Sequence, residues 1–190
     1  MITAIRNTRA RYGLAAIGLH WLMALIIIGM YPLGLYIDTL GYYDAAYRTV
    51  PHWHKSIGMI LLGLLLVRLL WRMLSSQPKT LTTSVMQKRV IKLVHASLYL
   101  LMLVALLSGY LISTADGRGI DVFNWFTVPA LPSLIENQED VAGLVHYWAT
   151  TLLISMAGLH TLAALKHHFI NKDQTLLRML GSSKTSEISE

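Results

Sequence analysis

Four long apolar runs, separated by shorter polar stretches, set the pattern of this chain: 14–37, 51–74, 90–114 and 141–168. A run of twenty or so mostly apolar residues is too long for a strand and reads as a helix. At about 1.5 Å per residue, each of the four is long enough to cross the roughly 30 Å hydrocarbon core of a bilayer. The second run starts at Pro51, a residue suited to the first turn of a helix. The first run follows Arg6, Arg9 and Arg11, as a secretory signal would. It is longer than the apolar core of such a signal and lacks a small-residue cleavage site, so a retained span is expected. The pattern therefore predicts an all-α, integral-membrane four-helix bundle as one domain over 1–180, with a polar, disordered tail over 181–190.

Composition agrees with this reading and removes several alternatives. Only 14% of the 190 residues are charged and 54% are apolar, against about a quarter charged in a soluble domain. The chain has no cysteine, which excludes disulfides, iron–sulfur clusters, thiolate catalysis and covalent haem attachment through C-x-x-C-H. Any metal must be held by nitrogen or oxygen.

The net charge of +6 flanks the apolar runs, so it speaks for orientation in a membrane and not for nucleic acid. Arg6, Arg9 and Arg11 precede the first helix. Arg72, Lys79, Lys88, Arg89 and Lys92 surround the second loop, and Lys166, Lys172, Arg178 and Lys184 follow the fourth helix. The other two loops are poor in base and richer in Asp38, Asp44, Asp116, Asp121, Glu136, Glu139 and Asp140. The positive-inside rule then places both termini in the cytoplasm. The long connection 115–140 holds Trp125, Phe126, Pro129 and Pro132 and is expected to cap the outer face with a short surface helix.

Of eight histidines, five lie in the apolar runs: His20, His54, His95, His146 and His160. Ionisable side chains at that depth are costly and mark functional sites by default; the competing role is hydrogen-bonding between helices. Relative depth favours the first. His146 and His160 are fourteen residues apart, almost four turns, so they share one helix face about 21 Å apart along the axis. That spacing fits one helix ligating two stacked haems. His20 and His160 fall at matching depth on the inner side, and His54 and His146 on the outer side. The expected axial pairs are thus His20 with His160 and His54 with His146. Paired imidazoles leave iron no open position and suit electron transfer.

The remaining candidates carry two readings each. His95, at the start of the third helix, either lies beside the inner haem or a quinone, or hydrogen-bonds across helices. His167, next to Lys166 at the boundary, either anchors the helix end or meets a quinone head group. Arg68, fourteen residues after His54, is placed at the inner level, where a guanidinium can pair bidentately with a haem propionate or snorkel. Lys55 and Arg118 have the same two options on the outer side. Gly58 and Gly143, near one turn from His54 and His146, leave room for a flat macrocycle, though small residues also favour close helix packing.

Taken together, Gly-Leu-His20-Trp, His54-Lys-Ser-Ile-Gly58, Leu-Val-Arg68-Leu-Leu-Trp-Arg72, His146, Ala-Gly-Leu-His160, Lys-His167-His168 and Asp173-Gln-Thr-Leu-Leu-Arg178-Met-Leu resemble the bacterial cytochrome b561 family. These are four-helix di-haem cytochromes related to the membrane subunits of hydrogenases and formate dehydrogenases. The resemblance covers about 11–180 and is greatest to the stand-alone type. It implies two b haems on His20, His54, His146 and His160, electron exchange with membrane quinone such as ubiquinone, and a place in the bacterial inner membrane. Members of that type include a superoxide:quinone oxidoreductase, and the resemblance puts His167 near the quinone.

Two other classes compete with such a carrier. One is a cytochrome subunit that relays electrons for a periplasmic partner docked on Tyr42, Tyr43, Tyr47 and Trp125. The other is a transporter or assembly protein with a metal or proton path. Discontinuous helices would favour the transporter, but only Pro32 interrupts a span.

Overall fold

The computed structural model describes residues 5–182. From residue 183 onward the expected polar tail lies outside the described residues. Four long helices account for most of the fold: α1 (Leu14–Ile37), α2 (Thr49–Leu74), α3 (Val85–Ser113) and α4 (Gln138–Phe169). All four are long and apolar enough to cross a membrane. Large apolar side chains such as Leu25, Leu100 and Leu162 are more than half exposed on their outer faces. In water such a surface would be untenable, whereas lipid is as apolar as leucine and solvates it.

Helix ends follow local chemistry more than the apolar pattern. α3 starts over a turn earlier than the hydrophobic run because Ser84 caps it: the Ser84 side chain accepts from the Gln87 backbone amide. Ser84-Val-Met-Gln87 has the serine–glutamine spacing of a capping box, a signal present in the sequence. α4 also extends beyond its apolar run. Glu139 and Asp140 sit in its first turn and Lys166, His167 and His168 in its last, each sign complementing the helix dipole.

α3 and α4 form the most extensive contact, α1 packs on α2 and α4, and α2 on α3. The central core is small: Met23 from α1, Leu61 and Leu65 from α2, Met102 from α3 and Leu153 from α4. Leu61 lies seven residues from both His54 and Arg68, and Leu153 seven from both His146 and His160. Seven residues are nearly two turns, so this apolar layer separates two polar levels. The distal end, away from both termini, holds His54 and His146. The terminal end holds His20, His95, His160 and Arg68.

Connection 115–140 differs from expectation. It carries no surface helix but a two-stranded antiparallel hairpin, β1 (Ile120–Val122) with β2 (Phe126–Val128). Phe123 and Asn124 both have positive φ and the Trp125 amide donates to the Val122 carbonyl, the signature of a type I′ turn. A three-residue connection, Phe123 to Trp125, between strands of only three residues is easily missed by periodicity. A short helix α5 (Thr175–Met179), also not anticipated, crosses the terminal end. The Trp21 Nε1 donates to the Met179 carbonyl at 2.7 Å and Arg178 donates to the Lys79 carbonyl at 2.8 Å, tying α5 to α1 and to the α2–α3 loop.

Gln138 joins the long connection to the bundle. It is 5% exposed; its Nε2 donates to the Leu111 carbonyl and its Oε1 accepts from the Leu134 amide. Gln138→Leu keeps the volume and leaves both backbone groups unpaired. It is expected to cost about 1–3 kcal/mol, read as a lower unfolding midpoint in a detergent–dodecyl sulfate titration.

Candidate functional site

At the distal end the four helices diverge around a cavity of about 550 Å³ whose walls include Gly34, His54, Gly58, Gly109, Gly143 and His146. The two imidazoles face each other with ring centroids 6.3 Å apart. Three features fit this cavity to a haem. First, His146 Nδ1 lies 2.8 Å from the Ala105 carbonyl. A carbonyl only accepts, so Nδ1 carries the proton and Nε2 keeps its lone pair for a metal, the usual arrangement of a ligating histidine. Second, His54 Nδ1 is buried without a hydrogen-bond partner, a cost that binding a cofactor can relieve.

Third, bare backbone faces the rings. A Cβ at Gly109 would lie 3.0 Å from His146 Cε1, and one at Gly34 would lie 3.3 Å from His54 Cε1. A Cβ at Gly143 would meet nothing within 4 Å. Gly58 and Gly143, singled out from sequence, do line the cavity. Gly34 was missed, although a glycine inside an apolar helix is a signal of close approach.

The cavity mouth is charged by Asp38, Lys55, Glu139 and Asp140. Arg118 takes no part there: its guanidinium binds Asp116, with Nε at 2.7 Å and an Nη at 2.5 Å from Oδ2. That hydrogen bond holds the Asp116 carboxyl below the usual carboxylate range. Of the two distal cations considered for a propionate, Lys55 is the one at the cavity.

The terminal end is built differently. His95 and His160 meet edge-on with centroids 5.4 Å apart, while an Arg68 Nη donates to His20 Nδ1 at 3.0 Å. Arg68 and Arg72 both stack on the Tyr99 ring, with Cζ at 5.6 and 5.7 Å from its centroid. Three imidazoles and two guanidiniums thus converge at one level, a donor set that fits haem iron together with its propionates. His160 has His95, and not His20, as its ring neighbour. The roles of Arg72 and Tyr99 escaped sequence reasoning. Their common signal is the i, i+4 spacing of Arg68 and Arg72 on one face of α2.

His167 is not in either cluster. Its Nδ1 lies 2.5 Å from Asp173 Oδ2 and 3.2 Å from the Asn171 amide nitrogen. The Asp173 amide donates to the His167 carbonyl at 3.1 Å. This turn, which passes through Lys172 at positive φ, leads from α4 to α5.

The model that describes prokaryotic cytochrome b561 matches residues 11–182, almost the whole described chain. This chain belongs to the prokaryotic cytochrome b561 family. Cytochrome b561 homolog 2 of Escherichia coli K12 is 47% identical to it over 180 residues, covering 94% of this chain and 96% of that protein. The probable superoxide oxidase CybB of Yersinia pestis is 28% identical over 174 residues, covering 90% and 96%. Cytochrome b561 homolog 1 of Escherichia coli K12 is 25% identical over 178 residues, covering 92% and 99%. As a cytochrome b561, the protein is a multi-pass membrane electron carrier that binds haem b, and the distal cavity is suited to hold it.

Two expectations follow from this geometry. Gly109→Val pushes a side chain into His146 and breaks its bond to Ala105, so the variant should lose the haem that His146→Ala also loses, measured by pyridine haemochrome per chain. At the α4–α5 turn, burial alone would raise the Asp173 pKa, but hydrogen bonds from Thr175 and His167 outweigh it and hold the carboxyl below its usual range. A depressed folded pKa stabilises the turn above the unfolded value of about 3.9 and loses that contribution as pH falls through the folded value. Amide protection factors over 174–180, corrected for intrinsic exchange at each pH, should therefore fall in acid in the native protein. In Asp173→Asn they should be low already at neutral pH and vary less across the acid range.

Proposed function

We propose that this cytochrome b561 carries two b haems and passes single electrons from a donor at its distal face to quinone at its terminal face. The observation that carries the reading is the tautomer set by Ala105. It leaves His146 Nε2 unprotonated beside a cavity that also holds His54. His54 and His146 are the axial ligands there, and His20 and His160 those at the terminal end. The pairing of His20 with His160 rests on their equal depth. Arg68 answers a propionate of the terminal haem, releasing His20 Nδ1 as it does so, and His95 packs beside His160 as its neighbour. Basic flanks on the terminal side support a cytoplasmic position for both termini, and membership of a prokaryotic family supports the bacterial inner membrane.

Bound haem supplies reversible one-electron chemistry. The chain contributes the rest: it fixes the ligand rings, keeps lipid and water away through the Met23–Leu61–Leu65–Met102–Leu153 layer, and sets the distance between the two levels. Superoxide is the favoured donor, by likeness to a relative described as a probable superoxide oxidase. Each superoxide gives up one electron and leaves as dioxygen. Two such electrons with two protons from the cytoplasmic side convert a quinone such as ubiquinone to its quinol. His167, held by Asp173 at the terminal boundary, meets the quinone head group. Lys55 is the one cation among the charged residues of the distal mouth, where Asp38, Glu139 and Asp140 outnumber it.

A second reading has specific support. Tyr42, Tyr43 and Trp125 are 70%, 97% and 75% exposed on the distal side, a surface on which a periplasmic electron-donor protein can dock. The chain would then be a relaying subunit.

Redox difference spectra of detergent-purified variants test the pairing. His54→Ala and His146→Ala should each remove the same haem, and His20→Ala and His160→Ala the other, while His95→Ala retains both. Stopped-flow mixing of the native protein with superoxide should reduce it, and added ubiquinone should reoxidise it at least tenfold more slowly in His167→Ala. Failure of superoxide to reduce a fully loaded protein favours the relay reading.

A further inference from the structure

Ser56 lies two residues beyond His54 and is fully buried, 0% exposed, within a helix that otherwise faces lipid or the cavity. A serine hydroxyl in that setting must find partners. It finds them in the hairpin: the Phe123 amide donates to Ser56 Oγ at 3.0 Å, and the hydroxyl donates to the Asp121 carbonyl at 3.3 Å. One side chain thus satisfies two backbone groups of a loop more than sixty residues away.

The hairpin is bound to α2 by packing as well. Val122 is 0% and Ile120 4% exposed, and Ile120 belongs to the wall of the cavity that holds His54 and His146. Trp53, next to His54, packs edge-on against Phe123 at 5.3 Å, and Phe123 packs against Trp125 at the same distance. Phe123 itself has φ of 47°, a left-handed conformation that a bulky residue adopts only when its surroundings enforce it. Here they do: its amide is held by Ser56 and its ring by two tryptophans.

From this we infer that the hairpin is a fixed wall on one side of the distal haem pocket, and that Ser56 is the positioning residue that latches it to α2. On that side the hairpin keeps water from the pocket and so tunes the potential of the haem bound there. The inference rests on the proposed reading of His54 and His146 as ligands of that haem. Burial and solvent access are among the main levers by which a protein tunes haem iron, and among the described residues that line the cavity Ile120 is the one apolar side chain from outside the four helices.

Two variants open the latch from opposite sides. Ser56→Ala removes the hydroxyl from α2. Gly119→Ala acts on the hairpin alone, since a Cβ there would approach the Val128 carbonyl oxygen to 2.6 Å and Thr127 Cγ2 to 2.8 Å, and it alters nothing in the transmembrane bundle. The full chain is loaded with haem in detergent, and the potential of each haem is measured by optical redox titration. The haem to watch is the one that His54→Ala removes.

In both variants the oxidised-to-reduced ratio of that haem should rise about tenfold at a given potential, a fall of about 59 mV for one electron, because water favours the more positive ferric state. The other haem should stay unchanged, and amide exchange at Phe123 should speed up in Ser56→Ala. Loss of the distal haem alone in either variant supports the latch equally. Unchanged potential of that haem in two loaded variants overturns it, as does an equal shift or loss of both haems. If His54→Ala removes no haem, the ligand reading fails instead, and amide exchange over 120–128 in Ser56→Ala still decides whether Ser56 holds the hairpin.

Discussion

An imidazole in hydrocarbon needs a partner for its N–H, and the contact between His146 and the Ala105 carbonyl is where this structure meets that need. The carbonyl is already part of the α3 ladder, and the Ser108 hydroxyl has the nearer Val104 carbonyl at 2.7 Å for its one proton, so the Ala105 carbonyl takes the histidine on its second lone pair. Such an approach requires the two backbones to lie close, and Gly109 permits it by offering no Cβ. α3 and α4 accordingly share the most extensive helix contact in the bundle. Small residues on α3, a histidine on α4 and tight packing between them are one arrangement seen at three scales.

A second constraint is the spacing along the helices. Leu61 and Leu153 divide their helices evenly between polar levels, each seven residues from the groups above and below. Because seven residues return to nearly the same face, histidine, leucine and inner polar group stand in one column on α2 and again on α4. The leucines therefore point into the bundle at mid-height, where Met23 and Met102 complete the layer. Methionine suits this position because its flexible thioether fills irregular gaps.

What could be read from the sequence depended on whether a feature is local in the chain. Apolar runs fix the four helices, and counting residues from the charged flanks places His54 with His146 at one end and His20 with His160 at the other; both rest on the regular rise of a helix. The Ala105 carbonyl was beyond reach, since a backbone acceptor has no signature in residue identity. Ring orientation was equally hidden: depth puts His20, His95 and His160 together, but only helix rotation brings His95 against His160 and turns His20 to Arg68. The hairpin was misread as a helix because its three-residue strands are too short to show alternation, and its latch to Ser56 spans sixty-five residues.

The fixed charges of the chain differ between its ends, and the difference has a direction. At the terminal level Arg68 and Arg72 lie beside the histidines, both against Tyr99. At the distal mouth three carboxylates, Asp38, Glu139 and Asp140, outnumber the single ammonium of Lys55. Positive groups favour the less positive, reduced state of a neighbouring redox centre, and negative groups the oxidised state. In a bilayer of low dielectric these effects are less screened than in water. The built-in field therefore draws an electron from the distal level toward the terminal one, the sense of the transfer proposed above.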